Sequence, residues 1–252
     1  MNRIDRLTTL MKHFPVYVRP APLSKASLVV TGTQSDSLSL SPENIHFKPK
    51  NSGFEHLKSD TIFAAKVDWE GTNSPLFPAL PEKIELDVSK DPEMHILISL
   101  IRTELTEQRC GSDTVVNRLG EVLMVRLLRG EISSKSSEPG LLAGLADQRL
   151  SKAIVAIHDN PGRAWRNEDF ADLAGLSLSR FSQMFHDIVG MPPAVYLRRW
   201  RLSLARQELI QGERVERIAH RYGYTSPEGF TRAFKKHFGV APISMRSQKD
   251  PV

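Results

Sequence analysis

The stretch GYTSPEGFTRAFKKHFGVAP, residues 223–242, is a loose second copy of GLSLSRFSQMFHDIVGMPP, residues 175–193. The residues that recur 49 positions later are Phe181, Phe185, Gly190 and Pro193 in the first copy, and Phe230, Phe234, Gly239 and Pro242 in the second. Each stretch begins with a glycine turn and continues as a helical pattern, and another helical pattern precedes it: NEDFADLA, residues 167–174, or VERIAHRY, residues 215–222. This order is typical of a helix-turn-helix unit.

The helical period decides which face of each second helix is buried. In the first copy it predicts that Phe181, Phe185 and Ile188 point inward, and in the second that Phe230 and Phe234 do. The polar residues that the same period places outward are Ser179, Ser182, Gln183 and His186 in the first copy, and Glu228, Thr231, Arg232 and Lys235 in the second. Arg pairs with guanine, Gln with adenine and Glu with cytosine, so these faces have the chemistry needed to read base edges.

One long helix is predicted between the two copies, from Pro193 to Ile210. Its 18 residues would extend about 27 Å at ~1.5 Å per residue. Successive major-groove segments on one face of DNA lie about 34 Å apart. The duplication therefore predicts a chain that reads two consecutive grooves. The basic residues expected near phosphates are Arg198, Arg199, Arg201, Arg206, Lys235 and Lys236, although an arginine that packs on a neighbouring helix is the alternative for one or two of them.

Charge divides the chain in the same place. Residues 1–145 carry 17 Lys and Arg against 18 Asp and Glu, whereas residues 146–252 carry 17 against 11. A basic half beside a near-neutral half favours a polyanion-binding module joined to a second domain. The single cysteine, Cys110, excludes an intramolecular disulfide. We expect neither a membrane span nor a signal peptide, which indicates the cytoplasm.

The first half mixes strand and helix patterns. Short strands are predicted within 26–41, 45–49, 61–69 and 83–88, and two amphipathic helices within 92–109 and 112–132. The polar run SSKSSEPG, residues 133–140, is the best candidate boundary. The second half is predicted to be helical, and Asn167 is expected to cap its second helix. An aliphatic stripe from Val115 to Leu128 is either core or a dimer face.

The second half resembles the DNA-binding domain of AraC-family transcriptional regulators. The run G-Y-x-S-x-x-x-F-x-R-x-F-K-x-x-F-G-x-x-P within residues 223–242 is that family's strongest signature. The resemblance covers about residues 141–247 and implies DNA contacts from both second helices. The residues it implies are Ser179, Arg180, Ser182 and Gln183 in the first copy, and Ser226, Pro227, Glu228, Gly229, Thr231 and Arg232 in the second. Gly229 departs from the bulkier side chains usual at its position.

Residues from about 3 to 132 are similar to the N-terminal half of an AraC subgroup that resembles a cupin. The resemblances together imply an α+β cupin-like domain with trailing helices at 1–132, a linker at 133–145, and an all-α domain of two helix-turn-helix units at 146–252. They imply a bacterial regulator whose partners are promoter DNA, RNA polymerase, a small-molecule effector and a second copy of itself.

Other sites are less well supported by the sequence. His46, His56 and His95 form no H-x-H pair, so we expect no metal and no cofactor. Cys110 lies beside Arg109 and is either a passive cysteine or a redox-sensing thiol. Two rival hypotheses remain: a constitutive DNA-binding protein whose first domain only dimerises, and a cupin-type metalloenzyme with an attached DNA-binding domain.

Overall fold

The computed structural model describes residues 5–34, 40–54, 57, 60–69, 80–134 and 139–245. They form two compact units. The sheet unit contains the described residues from 14 to 134, and the helical unit combines residues 5–13 with residues 139–245. His56, residues 70–79 and the linker residues 135–138 lie outside the described part of the chain.

The sheet unit has five antiparallel strands in the order β1-β4-β2-β3-β5. They are β1 Val16–Pro20, β2 Leu28–Gln34, β3 Leu40–Phe47, β4 Asp60–Trp69 and β5 Ile84–Asp87. The alternating burial along β4 is the two-residue period that predicted it. Strand β1 is not predicted from the sequence, because five residues that end in proline are too short to show a period. The predicted α+β cupin-like domain is confirmed.

Two helices follow the sheet, α2 Pro92–Glu107 and α3 Ser112–Ser134. Gly120 on α3 lies so close to Val18 on β1 that an added Cβ would collide with it. The aliphatic stripe on α3 is core on one side, since Leu123 and Leu128 are fully buried. On its other side Val122 is 50% exposed.

The helical unit contains nine helices on the described residues. They are α1 Thr8–His13, α4 Leu141–Ala146, α5 Leu150–Asp159, α6 Asn167–Ala174, α7 Leu178–Val189, α8 Pro193–Ile210, α9 Val215–Arg221, α10 Pro227–Phe238 and α11 Pro242–Met245. The long helix between the copies has the predicted bounds. The predicted cap of α6 is wrong: Asn167 is its first helical residue and Arg166 precedes it. The Arg166 backbone N–H donates to Asp169 Oδ2 at 2.8 Å.

Two helices of this unit come from segments that the sequence analysis assigned elsewhere. Residues 5–13, counted with the first domain, contact α5 and α8: Thr9 Oγ1 donates to Asp159 Oδ1 at 2.5 Å, and Gln207 Nε2 donates to the His13 carbonyl at 2.6 Å. Residues 141–145, counted with the linker, form α4 together with Ala146, the first residue counted with the second domain. Its leucines are buried, and a Cβ on Gly144 would lie 2.7 Å from Ile154, so glycine allows this close packing.

Candidate nucleic-acid interface

The first helix-turn-helix unit consists of α6, a turn and α7, which we call the first reader. Gly175 ends α6 in the left-handed conformation, with φ 65°, where glycine costs least. Ser177 caps the first reader by accepting from the Arg180 backbone N–H at 3.4 Å. Phe181 and Phe185 are fully buried, as predicted. The apolar face fixes the helix, so its opposite face is free to meet a ligand.

The second unit repeats this construction with α9 and α10, which we call the second reader. Gly223 occupies the turn with φ 71°. Ser226 caps the second reader by accepting from the Gly229 backbone N–H at 3.1 Å. Phe230 and Phe234 are fully buried. The two copies thus share a glycine turn, a serine cap and a phenylalanine pair.

The face of the first reader carries the predicted contact residues. Ser179, Arg180 and Gln183 are exposed, and Ser182 is half-buried. Gln183 Nε2 donates to the Asp187 carboxylate at 2.9 and 3.0 Å. A bidentate pair with adenine would use one of the two Nε2 hydrogens and the Oε1 of Gln183, so it would compete with Asp187 for the same amide group.

The predicted contact residues of the second reader differ in how far they are exposed. Glu228 and Arg232 are exposed, and Thr231 is half-buried. Pro227 occupies the first helical position. A Cβ on Gly229 would meet only the Ser226 hydroxyl, at 3.3 Å. That distance is tighter than an ordinary van der Waals contact, so a larger residue at 229 would require the capping hydroxyl of Ser226 to shift by a few tenths of an ångström.

The basic residues predicted near phosphates fall into three groups. Arg198, Arg199, Lys235 and Lys236 are exposed. Arg206 is half-buried above the Phe238 ring at 5.8 Å, and burial lowers its pKa. Arg201 donates to the carbonyl oxygens of Pro161 and Arg163, both at 2.7 Å. The alternative of an arginine packed against its neighbours describes Arg201.

A buried aromatic cluster under the first unit was missed by the sequence analysis. The His158 ring stacks on Trp200 with centroids 3.9 Å apart, and its Nε2 lies 2.6 Å from the Tyr196 hydroxyl. Burial lowers the pKa of His158 to about 3, so the ring is neutral at pH 7. Both partners lie on α8, so this cluster fixes α5 on the long helix.

The second unit is attached to the end of α8 by polar contacts. Arg221 Nη1 lies 2.6 Å from Glu208 Oε2, and the Tyr222 hydroxyl donates to Glu208 Oε1 at 2.8 Å. Burial, followed by this hydrogen bond to the carboxylate, raises the pKa of Tyr222. The second unit is thus tied to α8 by these contacts, and the first is tied to it by Phe185, whose ring packs on Tyr196 with centroids 5.7 Å apart.

The remaining candidate features are a metal site, the histidines of the sheet unit, Cys110 and a membrane-spanning helix. Over the described ranges, no three His, Cys, Asp or Glu side chains are grouped to hold a metal. His46 Nδ1 lies 3.0 Å from Glu85, and His95 Nε2 lies 2.9 Å from the Val88 carbonyl. Cys110 is exposed. None of the helices in the described part of the chain is both long and apolar enough to span a bilayer.

Comparison with known proteins agrees with this geometry. A helix-turn-helix domain model matches residues 170–248, and a cupin model matches residues 21–133. An uncharacterized HTH-type transcriptional regulator of Haemophilus influenzae is 33% identical over 172 residues, 68% of this chain and 57% of that protein. The HTH-type transcriptional regulator AlkR of Acinetobacter baylyi is 32% identical over 180 residues, 69% of this chain and 59% of that protein.

The chain belongs to the AraC family of helix-turn-helix proteins. An AraC-type regulator from Chromobacterium violaceum, of known structure, is 26% identical with a TM-score of 0.39, and the match covers 41% of this chain and 95% of that one. The AraC-type chain spans little more than half the length of the two curated relatives described above. Its family membership confirms the resemblance seen in the repeated motif.

Proposed function

We propose that this AraC-type protein is a transcriptional regulator that binds promoter DNA by placing its two readers in adjacent major grooves. The observation that carries the proposal is the attachment of both readers to one 18-residue helix, α8, with their polar faces exposed. At ~1.5 Å per residue that helix is about 27 Å long, comparable with the ~34 Å between successive groove segments.

The proposed base contacts lie on the outer faces of the two readers, where each residue is exposed or half-buried. On the first reader they are Ser179, Arg180, Ser182 and Gln183, and on the second they are Pro227, Glu228, Gly229, Thr231 and Arg232, with Ser226 at its cap. The exposed residues Arg198, Arg199, Lys235 and Lys236 supply the charge that neutralises phosphates. Such a protein acts in the cytoplasm, where bacterial DNA lies, and RNA polymerase and a second copy of the chain are proposed partners.

The experiment that tests this function is selection of genome fragments by the purified protein at fixed salt. The fragments recovered should share a sequence, and specific binding should exceed nonspecific binding by about 10³-fold or more. Recovery of fragments without a common sequence would contradict the proposal. The control is a variant with Gln183→Ala and Arg232→Ala, which retains the phosphate-binding residues but should lose the shared sequence.

The sheet unit is proposed to sense a small molecule. A hollow of about 240 Å³ lies between the sheet and α2, and its polar lining includes Ser41, His95, Ser99 and Arg102. A ligand of this unit should raise its unfolding temperature by mass action. A thermal-shift screen against metabolites, with Arg102→Ala as a comparison, separates a sensor from a unit that only dimerises.

Metal analysis of the purified protein tests the metalloenzyme hypothesis. Stoichiometric metal in the purified protein would favour that hypothesis.

A further inference from the structure

Arg201 makes two hydrogen bonds that tie α8 to the loop in front of the first helix-turn-helix unit. Its Nε donates to the Pro161 carbonyl and its Nη2 to the Arg163 carbonyl, each at 2.7 Å. These carbonyls belong to the loop that leads from α5 into α6. Burial lowers the pKa of Arg201, but arginine remains protonated in proteins. The positively charged guanidinium group therefore donates both of these hydrogen bonds to main-chain oxygens.

The second helix-turn-helix unit meets the same loop. A Cβ on Gly223, in the turn before the second reader, would lie 3.2 Å from Arg201 Nη2 and 3.2 Å from the Gly162 carbonyl oxygen. A Cβ on Gly162 would collide with the Arg221 carbonyl at the end of α9. The loop, α8 and the second turn thus meet without room for a methyl group. We call this meeting point of Pro161–Arg163, Arg201 and Gly223 the junction.

The loop is also attached to the first unit beyond the junction. Trp165 Nε1 donates to the Asn160 carbonyl at 2.8 Å, and the Arg163 guanidinium lies 4.1 Å from the Trp165 ring centroid. Trp165 packs on Phe170 of α6, with centroids 5.1 Å apart. A displacement of the loop would therefore be transmitted to α6 and to the first unit.

We propose that Arg201 is a positioning residue that fixes the angle between the two helix-turn-helix units through the junction. This inference rests on the proposed function, since an angle between readers affects affinity only when both bind one DNA molecule. Two linked readers gain affinity when their geometry allows both to bind at once. Arg201 preserves this gain by holding both units against one loop, and it makes no phosphate contact.

The test compares wild-type protein with Arg201→Gln and Arg201→Lys on three DNAs. The first is a selected fragment with both protected segments, the second has one segment scrambled, and the third has one extra base pair between the segments. One base pair rotates a segment by about 34°. Both variants should bind the first DNA about 10-fold or more weaker than wild type. They should bind the second within about 2-fold of wild type, and the penalty for the extra base pair should shrink.

Arg198→Gln is the matched control, because Arg198 is exposed on the same helix. It should weaken binding to all three DNAs alike and lower the dependence of log affinity on log salt by about 1. Arg201→Gln should leave that slope unchanged. Lysine at 201 keeps the charge but cannot donate a fork, so restored binding by Arg201→Lys would show a phosphate contact and overturn the proposal.

Gly162→Ala disturbs the junction while Arg201 stays intact, and it should reproduce the selective loss on the two-segment DNA. Binding to the one-segment DNA shows in each case that the variant is folded. The proposal is overturned if the folded variants keep the wild-type ratio of two-segment to one-segment affinity. Failure of the wild-type protein to protect two segments would instead count against the proposed function.

Discussion

Arg232 and Lys235 occupy neighbouring turns of the second reader, and both are exposed. The position of Arg232 on the outer face suits a bidentate contact to a guanine, whereas Lys235 suits a phosphate. We predict that Arg232→Ala costs about 1–3 kcal/mol of specific binding and relaxes the preference at one base pair. Lys235→Ala should weaken binding to every sequence alike. Binding to a set of single-base variants measures both effects, and equal losses on specific and nonspecific DNA for both substitutions would refute the assignment.

His158 should make the helical unit sensitive to acid. Burial lowers its pKa to about 3 in the folded protein, from 6.5 in the unfolded chain. Between these values the unfolded chain binds the extra proton, so stability is complete above the unfolded pKa and falls as the pH decreases. We predict a loss of about 2 kcal/mol between pH 7 and pH 5 from this residue.

Urea unfolding across this pH range, compared with His158→Gln, measures the contribution of His158. The variant keeps a side chain that can bond the Tyr196 hydroxyl, and its unfolding free energy should depend less on pH. His13 lies nearby, and burial lowers its pKa too, so a smaller slope should remain in the variant. If the unfolding free energies of the wild type and the variant depend equally on pH, burial does not keep His158 neutral.

The residues of the site differ in how far the sequence predicted them. The burial of Phe181 with Phe185, and of Phe230 with Phe234, could be predicted because aromatic residues at helical spacing define a buried face. The role of Arg201 could not, since its acceptors are main-chain carbonyls about 40 positions earlier. His158 was missed for a related reason: its partners Tyr196 and Trp200 lie on another helix, and no local pattern brings them together.

Among the secondary-structure elements, the second reader depends on its serine cap. Ser226 Oγ accepts from the Gly229 N–H, which otherwise has no partner within the helix. We predict that Ser226→Ala lowers the free energy of unfolding by about 1 kcal/mol. Ser226→Asn should restore most of it, because asparagine caps as well as serine. Denaturant unfolding followed by circular dichroism measures the change, and an alanine variant as stable as wild type would contradict the capping role.

Element bounds could be predicted where glycine, proline and serine mark the ends of helices. The long helix α8 begins at Pro193, and the polar turn that follows it contains Gly212. Both ends of the helix were therefore visible in the sequence. Helix α4 was not predicted, because its six residues are too few for a period and follow a polar run. The place of helix α1 in the helical unit could not be predicted, because its partners on α5 and α8 lie more than a hundred residues away.

At the scale of the whole molecule, a near-neutral first half, residues 1–145, is followed by a basic second half, residues 146–252. The duplicated motif in the helical unit accounts for the two readers, and under the proposed function each groove segment would meet its own set of side chains. Family membership in the AraC type rests on the helix-turn-helix and cupin matches together. The sequence could predict this organisation, since charge, period and motif all change near the same boundary.

The most direct test of the account is hydroxyl-radical footprinting of the purified protein on a fragment from the genome selection. Two readers fixed on α8 should protect two segments on one face of the DNA, separated by about one helical turn, 10–10.5 base pairs. A single protected segment would contradict simultaneous binding by both readers. Two segments on opposite faces would contradict the geometry that the long helix imposes.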